Sequence, residues 1–505
     1  MATKKRQPPA GSKNGATRPP RVRVRMYRQG LGDAFLLTFD PEGEHPAHVL
    51  IDLGTIGKGS GVDIDEVVKD VLEVTGGHLA AVVATHEHQD HVSGFIRARA
   101  AGLEADEAWL AWTEDEDDPD ARELEQYRGD LVTAAVSAAT ALEGTGARDD
   151  EALAGAVWDV LGFQGAKTAL VDFAAARRKG LKKRTSDGMN AAREMARSGA
   201  VRHFSPGDVI QRPWAPGVRF FVLGPPRDTG ALHKLGEHGS PDLYELAASA
   251  AIELPGREPA PPPFDARFNL PALPPGLAEL HAEEPWRHID GVGLGCATEL
   301  ALQLDNVTNN TSLVLAIEVD GDRVLLFPAD AQLGSWLTWG KLHFTVAQDG
   351  RRRDITGHEL LERTVFYKVG HHASHNATAT RAGLELMGGA GLTAFVPLDA
   401  AVAVKKKWPM PATKLAERLR DKTRGRVFRS DNAEAAEGVD VTGTFVDYSL
   451  PSLEADHRLP VAPPSRPPPP QSSVRRAPPP LTSRRRSSGR TRSTAGAADR
   501  RGRRG

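Results

Sequence analysis

The segment Ala84–Gly94, ATHEHQDHVSG, puts four metal-ligand side chains within six residues: His86, His88, Asp90 and His91. Imidazole and carboxylate together suit zinc and related divalent ions. His86 and His88 occupy alternate positions and can converge on one cation. Asp90 and His91 stand where a helix would begin and can face a second cation beside it. A thiolate cage is excluded, because the chain has a single cysteine, Cys296. Two adjacent cations would lower the pKa of a shared water and polarise a scissile ester, which is hydrolytic chemistry. The competing reading is a polar surface loop with Asp90 as a helix N-cap. Three histidines and an aspartate in this spacing, directly after an apolar run, argue against it.

Such a cluster does chemistry only if rigid elements hold it. LAAVVAT (79–85) is a short apolar run after GGH and predicts a buried strand whose end delivers His86. A helix is expected from Asp90 through Ala100. Upstream, VRVRMYRQG alternates, GDAFLLTF and HVLIDLG are apolar runs, and residues 62–75 have helical spacing. EAWLAWT (107–113) predicts the next strand. Residues 118–200 then break the rhythm with several helical patterns around a basic patch, 177–184, and predict a helical insertion. Strands are expected to resume at VRFFVLGPP (218–226). After a Pro-rich loop over 255–275 they continue in ELALQL, SLVLAIEV, RVLLFPAD, TVFYKVG, LTAFVPLD and TGTFVDYSL, with TKLAERLRDKT helical. The alternation is that of an α/β protein. Asp52, in LIDLG, is placed to orient a ligand through hydrogen bonds. Gly32-Asp33 predicts a tight turn near the site mouth, from which Asp33 could approach the metals.

Two later strands also end in ligand-type residues. VLLFPADAQLGSW (324–336) contains Asp330, and FYKVGHHASHNAT (366–378) contains His371 and His372. With HEHQDH, these segments resemble the signature of the metallo-β-lactamase superfamily, over roughly residues 22–450 apart from the insertion. RQGLGDAFLL, VLIDLGT, NNTSLVL and KVGHHAS are further similar to the soluble metallo-β-lactamase domains of competence-type DNA-uptake channel proteins, of which this chain would be a free-standing relative without the membrane part. The resemblance implies a four-layer αββα sandwich with a binuclear metal site at one edge. It implies His86, His88, Asp90, His91, Asp330 and His372 as metal ligands, Asp330 bridging. The implied cofactor is zinc, two per chain, with manganese or iron as alternatives. His371 is the alternative last ligand; otherwise it or His375 donates a proton or binds an oxyanion, which makes Asp90 and His371 the candidate catalytic residues. One departure stands out. The family's further histidine, before the strand matching SLVLAIEV, is absent here; DNVTNNTS offers Asn309 and Asn310, so an Asn or a water must complete that shell.

Charge is distributed unevenly. Residues 1–25 carry eight basic groups and no acid, and residues 457–505 carry thirteen Arg and one Asp. With the whole chain at −2, the portion 26–456 is left at −22. An acidic body does not grip nucleic acid over its whole surface; the Arg-rich tail could recruit nucleic acid or an acidic partner. Residues 1–21 predict a disordered basic leader and 451–505 a disordered Pro/Arg-rich tail, flanking a domain over 22–450 with the insertion at about 118–200. There is no apolar run of about 18 residues and no secretory h-region, so a cytoplasmic protein without a membrane part is expected. The favoured activity is hydrolysis of a phosphodiester, in a small molecule or a nucleic acid, by a metal-bound hydroxide, with 177–184 and Lys368 as candidates to offset phosphate charge. The alternatives are a carboxylic ester, lactone or thioester hydrolase on the same site, and a metal-binding interaction module with weak catalysis.

Overall fold

In a computed structural model of the chain, residues 21–56, 59–144, 148–164, 186–233, 289–348, 350–389 and 391–450 are described. The expected leader up to residue 20, the tail from 451, the basic patch 177–184 and the Pro-rich loop lie outside them. The described residues form a mixed α/β structure with two large mixed sheets. The first runs, in spatial order, through Val439–Val441, Phe445–Ser449, Val22–Tyr27, Ala34–Phe39, Ala47–Leu53, His78–Val83, Glu104–Ala111 and Val201–Phe204. The second runs through Val427–Arg429, Thr393–Val396, Thr364–Lys368, Arg323–Phe327, Val314–Val319, Arg219–Gly224 and Val209–Ile210.

Side-chain alternation explains why both faces of each sheet are apolar. In the strand Ala34–Phe39, Phe35, Leu37 and Phe39 enter one core and Ala34 and Leu36 another. In Arg219–Gly224, Phe220 and Val222 join the same core as Phe35, while Phe221 and Leu223 face elsewhere. The shared core therefore lies between the sheets, as the period-2 pattern of buried strands requires. The outer face of the first sheet is covered by Ile64, Val67, Val68 and Val71 of the helix Ile64–Thr75, and by Met189, Ala192 and Met195 of the helix Ser186–Met195. The outer face of the second is covered by Trp336 and Trp339 of the helix Leu333–Trp339 and by Leu415 and Leu419 of the helix Thr413–Lys422. Each of these Val, Leu, Ile and Met side chains contributes about 1.5–3 kcal/mol on burial.

Several expectations need correction. ELALQL is not a strand but part of the helix Ile289–Asn310. Its apolar positions Ala297, Leu300, Ala301 and Leu304 fall at helical spacing and bury against the helices Pro119–Gly144 and Arg148–Phe163, forming a separate small core. The short run alone could not distinguish strand from helix. The helix expected from Asp90 to Ala100 is two short ones, Gln89–Val92 and Phe95–Ala100. Gly94 separates them; a Cβ there would meet Leu53 Cγ at 2.7 Å. Strands resume at Val201–Phe204, before Val218, as a partly exposed edge strand without an apolar signature. The hairpin His343–Gln348/Arg351–Thr356 gave no signal either, because RRRDIT reads as polar.

One buried histidine far from the ligand cluster sets an acid limit on stability. His48 lies against Thr38, with Nδ1 3.2 Å from Oγ1. Burial, with a smaller push from His78, lowers its pKa to about 4. The folded state thus favours the neutral ring, so this contribution is full above the ordinary value of about 6.5 and is lost as pH falls from there towards 4. The loss amounts to about 3 kcal/mol. Urea unfolding at pH 7 and pH 5 should show a larger loss for the parent than for His48→Gln; equal losses would contradict the assignment.

Candidate metal centre

The strands that end at the site are mutually parallel within each sheet. Ala47–Leu53, His78–Val83 and Glu104–Ala111 run parallel in the first, and Arg323–Phe327, Thr364–Lys368 and Thr393–Val396 in the second. Their carboxyl ends carry Asp52, His86, Asp330, His371, His372 and Pro397. Open α/β sheets bind ligands beyond such strand ends. Leu313 N donates to Thr85 O at 2.9 Å and ties the two sheets together there.

Close backbone approach brings the loops into contact. Asp33 N donates to Asp90 O, and Gly54 N to Asp33 O, both at 2.9 Å. A Cβ on Gly54 would lie 2.4 Å from Asp90 O, and one on Gly32 2.4 Å from Gly54 O, so only glycine fits at either position. The backbone is also strained here. Of nine non-glycine residues with positive φ among the described residues, five belong to the site: Asp52, Ala329, His371, His372 and Ala373. The left-handed region costs roughly 1–2 kcal/mol per residue, and such strain persists where the surroundings over-determine it.

Four side chains converge. Asp90, His91, Asp330 and His372 are all buried, with one ligand atom each lying within 4.8 Å of the others. Their hydrogen-bond roles can be worked out from their outer partners. His372 Nδ1 donates to Pro397 O at 2.6 Å, because a carbonyl only accepts. Its Nε2 faces Asp90 Oδ2 at 2.9 Å. His91 Nδ1 donates to Asp52 Oδ2 at 2.8 Å, and its Nε2 lies 3.2 Å from Asp330 Oδ2 and 3.9 Å from Asp90 Oδ2. Two imidazole lone pairs and two carboxylate oxygens thus point at one another. They need protons or a cation between them. The distances bracket the ~3.3 Å edge of a tetrahedron with bonds of about 2.0–2.1 Å. His91 Nε2 is buried without a hydrogen-bond partner, as an open ligand atom would be, and so is Asp90 Oδ1, the oxygen beside the converging Oδ2.

Charge points the same way. Asp33, Asp52, Asp90 and Asp330 are buried, and among the described residues Lys368 is the fixed cation paired with them. Burial disfavours a charged His91, but Asp330, Asp33, Asp52 and Asp90 outweigh it and raise its pKa well above the ordinary value. Burial likewise opposes charge on Asp330, and His91 and Lys368 outweigh it, holding the carboxyl well below the usual range. A buried His/Asp cluster able to hold a metal ion is therefore what this α/β chain contains.

His86 and His88 do not belong to that four-residue group; they form its neighbour. The His86 ring is centred 4.1 Å from that of His91, and His86 Nε2 lies 3.0 Å from His88 Nδ1. Burial holds both rings neutral, His88 at about 3 and His86 well below the ordinary value, which is the form a metal needs. Asp52 supports both halves: it holds His91 directly and accepts from Thr85 Oγ1 at 2.7 Å, next to His86 Nδ1. Asp330 Oδ1 is already occupied by His371 N at 2.8 Å and Lys368 Nζ at 3.3 Å, which leaves Oδ2 as its ligand atom. His371 is half-buried, with Nδ1 3.0 Å from Ser374 Oγ, and His375 is also half-buried.

Lys368 is not available to a substrate. It is buried against Asp33, Asp330 and the carbonyl of Ala329, so its charge neutralises the cluster from inside. Asn310 is committed as well, its amide spanning Leu232 O and Gln332 N, whereas Asn309 keeps Oδ1 buried without a partner. Two residues escaped sequence reasoning. Asp305 lies one turn before Asn309 and accepts from its amide at 3.0 Å; burial pushes its carboxyl up to about 6, with His371 opposing and Asp330 and Asp90 adding. Gln164, which ends the insertion helix Arg148–Phe163, touches His88 Nε2 at 2.7 Å. No local pattern marks a glutamine at a helix end as a partner of a residue 76 positions away.

No family model matches the chain, and no curated protein matches it. Among the described residues, no helix is long and apolar enough to cross a membrane.

Proposed function

We propose that this chain is a metal-dependent hydrolase of the metallo-β-lactamase superfamily, with a phosphodiester as its substrate. The observation that carries the reading is the convergence of Asp90 Oδ2, His91 Nε2, Asp330 Oδ2 and His372 Nε2 at the ends of parallel strands. The three cores, one between the sheets and one outside each, support the four-layer αββα sandwich of that superfamily. Asp90, His91 and His372 would hold one zinc ion, His86 and His88 a second, and Asp330 Oδ2 would be shared; manganese or iron suits the same donors. When bound, such ions lower the pKa of a coordinated water and polarise the scissile group.

The chain's own residues do the rest. Asp52 fixes His91 directly and His86 through Thr85, which sets the orientation of these two rings. Lys368 and His371 N restrain Asp330. His371, at the solvent edge, is placed to hand a proton to a leaving group. One observation favours a second reading, a carboxylic ester, lactone or thioester hydrolase. Phe163 lies against His88 at 5.8 Å and Trp408 at 5.0 Å, an aromatic wall that would suit an apolar acyl group. Turnover of bis-p-nitrophenyl phosphate against p-nitrophenyl acetate separates the two. The diester should be the better substrate by kcat/KM; preference for the acetate would move the assignment to the acyl chemistry.

A further inference from the structure

The hydrogen-bond roles around His86 and His88 can be followed from Asp52 outward. The Asp52 carboxylate only accepts, so Thr85 Oγ1 donates to it at 2.7 Å. Thr85 Oγ1 therefore accepts from His86 Nδ1, 3.1 Å away. That leaves His86 Nε2 with a bare lone pair, aimed at His88 Nδ1 across 3.0 Å. Whether a cation can enter between these two nitrogens depends on which nitrogen of His88 carries the hydrogen. The group that touches the other nitrogen decides this, and it is Gln164, 5 % exposed, whose amide end lies 2.7 Å from His88 Nε2 and 3.2 Å from Thr308 Oγ1.

We propose that Gln164 is a positioning residue for the cation held by His86 and His88, through the hydrogen-bond role it imposes on His88 Nε2. The inference rests on the metal-centre reading above. With the amide nitrogen towards His88, Gln164 donates to Nε2, the hydrogen sits on Nδ1, and His88 closes onto His86. With the amide turned over, Oε1 accepts from both His88 Nε2–H and Thr308 Oγ1–H. The Thr308 hydroxyl, which otherwise donates to Leu304 O at 2.9 Å, turns to meet it. His88 Nδ1 then presents its lone pair beside that of His86 Nε2. The insertion, which supplies Gln164, becomes part of metal binding in this way, and the helix Ile289–Asn310, which supplies Thr308, backs it.

The test titrates the metal-free full chain with Zn2+ alone by calorimetry and follows histidine 15N shifts. Gln164→Leu should weaken one of the two binding events by about 10–100-fold, the usual cost of removing an outer partner of a metal-ligating histidine, and spare the other. Gln164→Glu, whose carboxylate accepts and cannot donate, should restore it. In the parent protein the His88 hydrogen should move from Nδ1 to Nε2 when zinc is added. Unchanged affinities in Gln164→Leu, or a Gln164→Glu variant as weak as Gln164→Leu, would overturn the proposal. A parent protein that binds no zinc would instead overturn the metal-centre reading beneath it.

Discussion

On the proposed reading, replacing Asp90 or His372 with alanine should each abolish cation binding at the four-residue cluster and reduce phosphodiester turnover by more than about 100-fold. Outer partners of metal ligands already account for about 10–100-fold, and in the proposed centre these residues would supply the ligand atoms themselves. The two are linked at 2.9 Å, so either substitution also leaves the other's buried atom without a partner. Their effects should therefore be far from additive, and the double variant should be little worse than either single one. His375→Ala provides the contrast: it is half-buried and outside the converging group, and it should retain most metal and at least a tenth of the activity. Comparable losses in all three variants would mean that the His372 loop matters for folding rather than for ligation. Circular dichroism of each variant distinguishes these cases.

Removing the cations should lower thermal stability, and the effect should grow with pH. Among the described residues, the buried carboxylates at Asp33, Asp52, Asp90 and Asp330 face one lysine, so a divalent cation would compensate charge that protons on the histidines otherwise offset. At a free metal concentration 100 times Kd the stabilisation is about 2.7 kcal/mol, roughly 5 °C in Tm for a domain of this class. Cation and proton compete for His91 Nε2, whose pKa burial opposes and the surrounding carboxylates raise. Metal affinity must therefore fall as pH drops and the proton takes the site, and rise at alkaline pH. The Tm difference between zinc-loaded and chelator-treated protein should be larger at pH 8 than at pH 6. An equal or reversed difference would mean that the metal does not displace protons from these ligands.

Much of the site could be read in the sequence because its ligands stand at the ends of apolar runs. LAAVVAT followed by HEHQDH and VLLFPA followed by Asp330 each couple a strand to the residue it delivers. Such coupling is local, so one sequence suffices to see it. The same holds for Gly32 and Asp52, whose roles follow from glycine's permissiveness and from a polar group closing an apolar run. What escaped was non-local. Gln164, just past the helix Arg148–Phe163, and Asp305, on the helix Ile289–Asn310, reach the site from elements whose patterns report only on their own packing. ELALQL was misread for a related reason: six residues rich in leucine fit either period, and only burial against two other helices decides between them. The role of Lys368 was misjudged because sequence shows a charge without its surroundings. Burial against two carboxylates turned it from a substrate contact into a structural counterion.

On the proposed reading, Asp90, His91, Asp330 and His372, with His86 and His88 beside them, form a working metal centre. Elemental analysis of the protein purified without added metal, and again after incubation with Zn2+ or Mn2+ and desalting, tests it most directly. The parent should hold about two cations per chain and Asp90→Ala at most one. A parent chain that stays free of metal after both incubations would contradict that reading, and would leave a buried cluster held together by protons and Lys368 alone.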